Sequence, residues 1–295
     1  MAQGGLVGAQ AQRTARRRRL GAALRAAREG AGVTTTEAAN AIHCDNTKMS
    51  RIETGRHRVT RLELNALFDL YRINDPAVRK QLIALASEGS KRSWWRRHSA
   101  MISPKLSEVL VLESDAARIA AFHTQVVPGL LQTPDYARAI IGGLTSQYTE
   151  EEVEFYVELR MERKRILAGD DPPVQYLALI PEGVLHQRYG GAEVLAAQLR
   201  HLVAVNRPPH LTIQVIPFTQ TAFTDTAGSF TFFSYPDQLD LDVVLVESLD
   251  GSLCLQEDDS VAQYTKAIDG LRASALSTQQ SVELITSMAD ELERG

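Results

Sequence analysis

At 295 residues, with 44% hydrophobic and 23% charged side chains, the chain is ordinary globular material, long enough for two cores. No apolar run approaches the roughly 20 residues needed to cross a bilayer. The N-terminal stretch lacks the apolar core of a secretory signal, and Cys44 and Cys254 stand too far apart to suggest a disulfide framework or a zinc module. The net charge of −4 conceals a split: residues 1–100 hold 19 Lys and Arg against 8 Asp and Glu, a net +11, while residues 101–295 hold 13 against 28, a net −15. A basic head suited to a polyanion, an acidic body and a cytoplasmic location are therefore expected.

Residues 1–15, rich in Gly, Ala and Gln without periodicity, read as a disordered arm. Four adjacent cations, Arg16 to Arg19, then open a helical stripe of Leu20, Leu24 and Ala27 that stops near Gly30 or Gly32. Thr34 with Glu37 has the spacing of a capping box and starts a second short helix. The stretch "HCDNTKMSRIETGRH" gives a third, with Asp45 as N-cap and Gly55 as stop. Leu62, Leu64, Leu67 and Leu70 supply the buried face of a fourth, and Pro76 stands at the first position of a fifth. The basic segment "SKRSWWRRHS" follows as a candidate hinge, in which Trp94 or Trp95 is expected to pack.

Beyond it the pattern is mixed. "LVLESDAARIAAFHTQVV" is ambiguous between helix and strand; Thr133 and Pro134 begin a helix; and the stretch from Thr149, acidic at its start and basic at its end, suits a helix closed by Gly169. Strand patterns stand at "VQYLALI", "LTIQVIPF", "GSFTFFSY" and "LDVVLVES", the last three expected as an antiparallel meander, with a helix at "GAEVLAAQLRHLVAV". Val261, Tyr264, Ile268, Leu271 and Ala275 space as a helical core stripe, and Ser277 with Gln280 caps the last helix. The organisation expected is an arm over 1–15, a helical head over 16–75, a helix and basic linker over 76–103 and a body over 104–295.

The third helix carries the functional reading. At 3.6 residues per turn, Met49, Ile52 and Glu53 fall on one side and Asn46, Thr47, Ser50 and Arg51 on the other. A major groove about 12 Å wide admits a helix whose outward side chains are short and polar enough to read base edges. Asn46 suits adenine, Arg51 guanine, and the Thr47 methyl a thymine methyl. Thr35, Arg56, Arg58, Arg16 and Arg17 complete the expected double-stranded DNA contacts, mainly to phosphate.

Over about residues 16–75 the sequence resembles the lambda-repressor-like, or XRE-type, helix-turn-helix family. The matching residues are Leu24, Arg28, Gly32, Thr34, Glu37, Ala39, Ser50, Arg51, Ile52, Glu53 and Gly55. The resemblance implies a structural pair of Arg28 with Glu53, an acid that stands at the unfavourable end of its helix, and binding as a homodimer. His43 replaces the glycine usual in the turn, and Ala38 a usual leucine.

Over about residues 90–295, "VPGLLQTPDYAR", "LRMERKRIL", "GVLHQRYGG" and "ALSTQQS" resemble the domain of uncharacterised function that follows this head in many high-GC bacterial regulators. Lys164 and Arg165 depart from its more usual Arg-Gln. That likeness implies an antitoxin-like transcriptional regulator encoded beside a very small partner protein. The fold expected is an N-terminal all-α helix-turn-helix bundle plus a C-terminal α+β domain with a small, mainly antiparallel sheet.

No nucleophile elbow, P-loop, zinc-protease or dinucleotide motif occurs. His98, His123, His186, His201 and His210 stand singly, so no metal, cofactor or enzymatic activity is expected. No cluster marks a chemically specific pocket, which favours a small protein over a metabolite as the body's partner.

Overall fold

A computed structural model describes residues 15–86, 95, 98, 101–144, 148–168, 173–220, 228–235, 242–248 and 251–294. The arm before Ala15, the side chain of Arg16, Lys91, Arg92, Trp94, Arg96, Arg97 and Gly169 lie outside the described residues. The chain divides into two compact units, one ending at Leu112 and the other beginning at Glu113.

The first unit is helical: α1 (Ala15–Gly30), α2 (Thr35–Ala41), α3 (Asn46–Glu53), α4 (Arg61–Leu70), α5 (Pro76–Ala86) and most of α6 (Pro104–Asp115). Its helices begin where short polar side chains satisfy the free amides of the first turn. Thr34 and Glu37 cap α2 reciprocally, Asp45 accepts from the Lys48 amide at 2.6 Å to start α3, and Thr60 and Glu63 form a second capping box on α4. Leu24, Met49, Leu64, Leu67 and Phe68 are fully buried among them.

One expected core position is corrected. Leu62 is 83% exposed, because it lies two residues from Leu64 and a helix does not bring such positions to one face. Helix α5 packs on α1 and α4, so the bundle continues past residue 75. Trp95 is buried.

The second unit is built on a six-stranded sheet of β1 (Arg118–Phe122), β2 (Gln175–Pro181), β3 (Leu211–Ile216), β4 (Phe230–Ser234), β5 (Val243–Ser248) and β6 (Gly251–Leu255), in the order β3-β2-β1-β4-β5-β6. Helices α7 (Pro134–Leu144), α8 (Glu150–Arg163) and α9 (Arg165–Ala168) lie between β1 and β2. Helices α10 (Glu182–Leu185) and α11 (Ala192–Val205) lie between β2 and β3. These helical crossovers let β1, β2 and β3 pair in parallel. On its other edge β1 pairs antiparallel with β4, and β4, β5 and β6 continue antiparallel.

The sheet is therefore mixed rather than mainly antiparallel, and β3 does not join the meander, whose third strand is β6 instead. The cause is β1. Its five residues "RIAAF" carry two alanines, and it pairs on both edges, receiving β2 and β4 in register at Ile119 with Tyr176 and Phe233.

Helix α12 (Asp258–Ser274) lays its stripe on the sheet: Leu271 is buried with Phe122, Leu179, Phe230 and Val244, and Val261, Tyr264 and Ile268 pack beside them. Helix α13 (Thr278–Arg294) packs on α11, where Arg200 pairs with Asp290 and Glu293.

Candidate functional site

Helix α3 is held against α1 by backbone as much as by side chains. A methyl group added at Gly21, in the middle of α1, would lie 2.5 Å from the carbonyl oxygens of both Ile52 and Glu53. After α3 the chain turns at Gly55, whose φ of +70° and closeness to the Arg18 backbone, 2.7 Å from an added carbon, both demand glycine. Before α3, His43 takes φ +53°, the left-handed conformation expected where the resembled family has glycine.

The Arg28 guanidinium grips Glu53 through Nε to Oε1 at 2.6 Å and Nη2 to Oε2 at 3.3 Å, and donates from Nη1 to the Val33 carbonyl at 3.0 Å. The hydrogen bond to Glu53, larger than the opposing burial, raises the Arg28 pKa. An acid at the negative end of a helix dipole is thereby neutralised.

With Met49 and Ile52 buried, Asn46, Thr47, Ser50 and Arg51 are all exposed on the opposite side. Asn46 Nδ2 donates to Thr36 Oγ1 of α2 at 3.1 Å, fixing the start of α3 to the preceding helix. Thr35 is half-buried and Thr36 exposed, so the contribution of α2 to this face extends to a residue that sequence reasoning passed over. Its signal was the capping box, which fixes Thr34 and hence the direction of the residues after it.

Arg56, His57, Arg58 and Arg61 are exposed beyond α3, and Arg61 is the second residue missed. Lys48, a cation on α3 itself, is held by Glu63 at 2.6 Å. Burial pushes the Glu63 carboxyl up, but Lys48 and the Thr60 amide and hydroxyl hold it below the usual carboxylate range. Of the four adjacent arginines, Arg17 is half-buried, Arg18 pairs with Glu108 of α6, and Arg19 is buried at 5% exposure. Arg18 and Arg19 therefore belong to the bundle.

In the second unit the "PGLLQT" stretch is a buried polar knot around a single 3-10 turn at Gly129–Leu131. Gln132 Nε2 donates to the Val127 carbonyl at 2.7 Å, and Gln132 Oε1 accepts from Arg160 Nη1 at 2.7 Å. Gln198 of α11, fully buried, donates to the Leu131 carbonyl at 2.8 Å and accepts from the Thr133 amide at 2.7 Å. Burial, and then the neighbouring Arg163, draw the Arg160 pKa down to about 10. Arg163 itself forms a two-pronged pair with buried Glu113 at 3.0 and 2.6 Å.

Beside the knot, Lys164 Nζ donates to the Gln132 carbonyl at 2.9 Å and lies 3.1 Å from His201 Nε2. The histidines that stand singly in the sequence are partly gathered here, since His201 and His210 line one cavity with Lys164 and Arg207. No group of three or more metal-ligating residues is found among the described residues.

Two short capped helices at a left-handed turn, with the second offering a polar face, define a helix-turn-helix module, a DNA-binding class. Residues 19–82 match the family model described as a helix-turn-helix domain. Residues 106–287, more than half of the chain, match the domain of unknown function DUF5753, and the chain belongs to that family. No curated protein and no solved structure matches it. No helix among the described residues is long and apolar enough to cross a membrane.

Proposed function

We propose that this protein is a sequence-specific transcriptional regulator of the XRE type, whose first unit reads double-stranded DNA and whose second unit is a regulatory body rather than an enzyme. The observation that carries this reading is the outward face of α3. Asn46, Thr47, Ser50 and Arg51 are exposed together on a helix fixed at its start by Asp45 and Asn46 and at its end by Glu53. Arg51 supplies two donors and Asn46 a donor and an acceptor, the pairs that base edges take, whereas Arg56, Arg58, Arg61, Arg16 and Arg17 serve phosphates. One such helix reads too few bases to be selective in a genome, so the protein acts as a homodimer on two half-sites about one helical turn apart. The body, net negative and needless for holding DNA, binds an effector: a small protein, as the resemblance implies for an antitoxin-like regulator, or a ligand.

Selection of bound sequences from random DNA by the purified full-length protein tests the reading. A pair of related half-sites is expected. Replacing Arg51 with Ala should cost about 1–3 kcal/mol on the selected site and relax one base pair of the preference. An equal loss on random DNA would remove Arg51 from base reading, and recovery of no common sequence would remove the proposal.

A further inference from the structure

The second unit contains a cavity of about 530 Å³, bounded by the knot, by α9 and by the end of α11. Its volume lies within the about 300–1,000 Å³ of small-molecule sites. Leu130, Leu131, Leu167, Val205 and Leu211 make apolar walls, and every ionisable group among the lining residues is basic: Lys164, His201, Arg207 and His210. Asp170 and Asp171, between Ala168 and Pro173 in sequence, lie outside the described residues.

Lys164 is the group to explain. An ammonium has three donors and no acceptor. Two are directed at the Gln132 carbonyl and at His201 Nε2, which must accept and therefore carries its proton on Nδ1. The third has no hydrogen-bond partner among the described residues. Burial alone lowers the Lys164 pKa, and burial followed by Lys164 lowers that of His201, so among the described residues no carboxylate offsets the cost of enclosing the charge. A half-enclosed cation with a spare donor, backed by apolar walls, is what a monoanion with an apolar tail would complete.

We propose that this cavity binds a small amphipathic carboxylate, its head on Lys164 Nζ and its tail against Leu130, Leu131, Leu167, Val205 and Leu211. The proposal names a class of effector for the regulatory body, and it rests on that reading only for the consequence on DNA binding. One ammonium matches one carboxylate, while Arg207 and His210, both exposed, guide the anion from the rim.

Calorimetric titration of the full-length protein with decanoate, decan-1-ol, acetate and inorganic phosphate tests it. Decanoate should bind saturably at one site per chain, and decan-1-ol more weakly by about tenfold or more, the worth of a charged hydrogen bond. Acetate and phosphate should give no heat of binding. Lys164→Met should weaken decanoate by a similar factor and leave decan-1-ol unchanged. Equal affinities for acid and alcohol, or a Lys164→Met protein that binds decanoate as before, would overturn the assignment.

A readout on the unaltered chain guards against a variant that fails to fold. Decanoate should slow acetylation of Lys164 by an amine-specific reagent, followed by peptide mass spectrometry, while exposed Lys266 reacts at its usual rate. Unslowed Lys164 would also reject the site. DNA affinity with and without decanoate then tests the regulatory reading by itself.

Discussion

A single carbon at position 21 would force α1 and α3 apart. Alanine is the better helix former by about 1 kcal/mol, so on propensity alone Gly21→Ala should stabilise α1. The added methyl group, however, would meet two backbone oxygens of α3 at 2.5 Å, and neither can rotate away as a side chain can. Overpacking of this kind costs about 1–3 kcal/mol, at the upper end where backbone must move, and that term wins. Gly21→Ala is expected to lower the melting temperature of the first unit and to weaken specific DNA binding. A variant as stable as the parent would show that α1 and α3 can part without cost. Arg28 and Glu53 hold the same junction through a largely enclosed ion pair, so Glu53→Gln should retain the fold better than Glu53→Ala, which takes from the guanidinium its two-pronged partner across the junction.

At the level of elements, the second unit is organised by polar side chains that reach from one helix to the loop of another. Gln198→Leu keeps the volume but leaves the Leu131 carbonyl and the Thr133 amide without partners, each at about 1–3 kcal/mol. Denaturant melts should therefore lose at least about 2 kcal/mol for the second unit and nothing for the first; an unchanged midpoint would mean that water replaces the glutamine. The head was legible in the sequence to the level of caps, because Thr34, Glu37 and Asp45 act on their own few neighbours, as does the left-handed turn at Gly55. The partner of Glu53 was named from resemblance. By contrast, Gly21 gave no local sign of its purpose, which lies in a helix thirty residues on. The β1 segment escaped because alanines favour helix, and only pairing on both edges makes "RIAAF" a strand. The cavity was illegible for the same reason: Lys164, His201, Arg207 and His210 meet only after α8, α11 and β3 are assembled.

Across the whole molecule, the two units should differ in their response to acid. Burial lowers the pKa of His123 most, with Glu247 opposing and Arg163 assisting, and burial then Lys164 lower that of His201. Above the ordinary histidine value of about 6.5 both rings are neutral in the folded and unfolded chain, and their contribution to stability is complete. As pH falls below it, the unfolded chain takes up protons that the folded chain refuses, so stability is lost until the lower folded values are passed. The carboxylates of the first unit, among them Glu37 and Glu63, are held below the usual range and begin to matter only in more acid solution. Calorimetric scans between pH 7.5 and 5 should show the second unit's transition moving down while the first unit's stays in place. His123→Gln should flatten that slope, and parallel movement of both transitions would count against these two histidines as the cause.

The place of β1 in the middle of the sheet also sets an order of events in time. The first unit closes through neighbouring helices, and β4, β5 and β6 through short connections, whereas β1 must wait for β2 and β4 to arrive from far along the chain. Contacts distant in sequence form slowly, and a growing chain folds its N-terminal part first. Pulsed hydrogen exchange during refolding should therefore protect the amides of α1 to α4 before those of β1. On the ribosome, the helix-turn-helix head would be complete while the second unit still lacked the strand that closes one side of its central one, so a product released early would carry a folded head and an unfinished sheet.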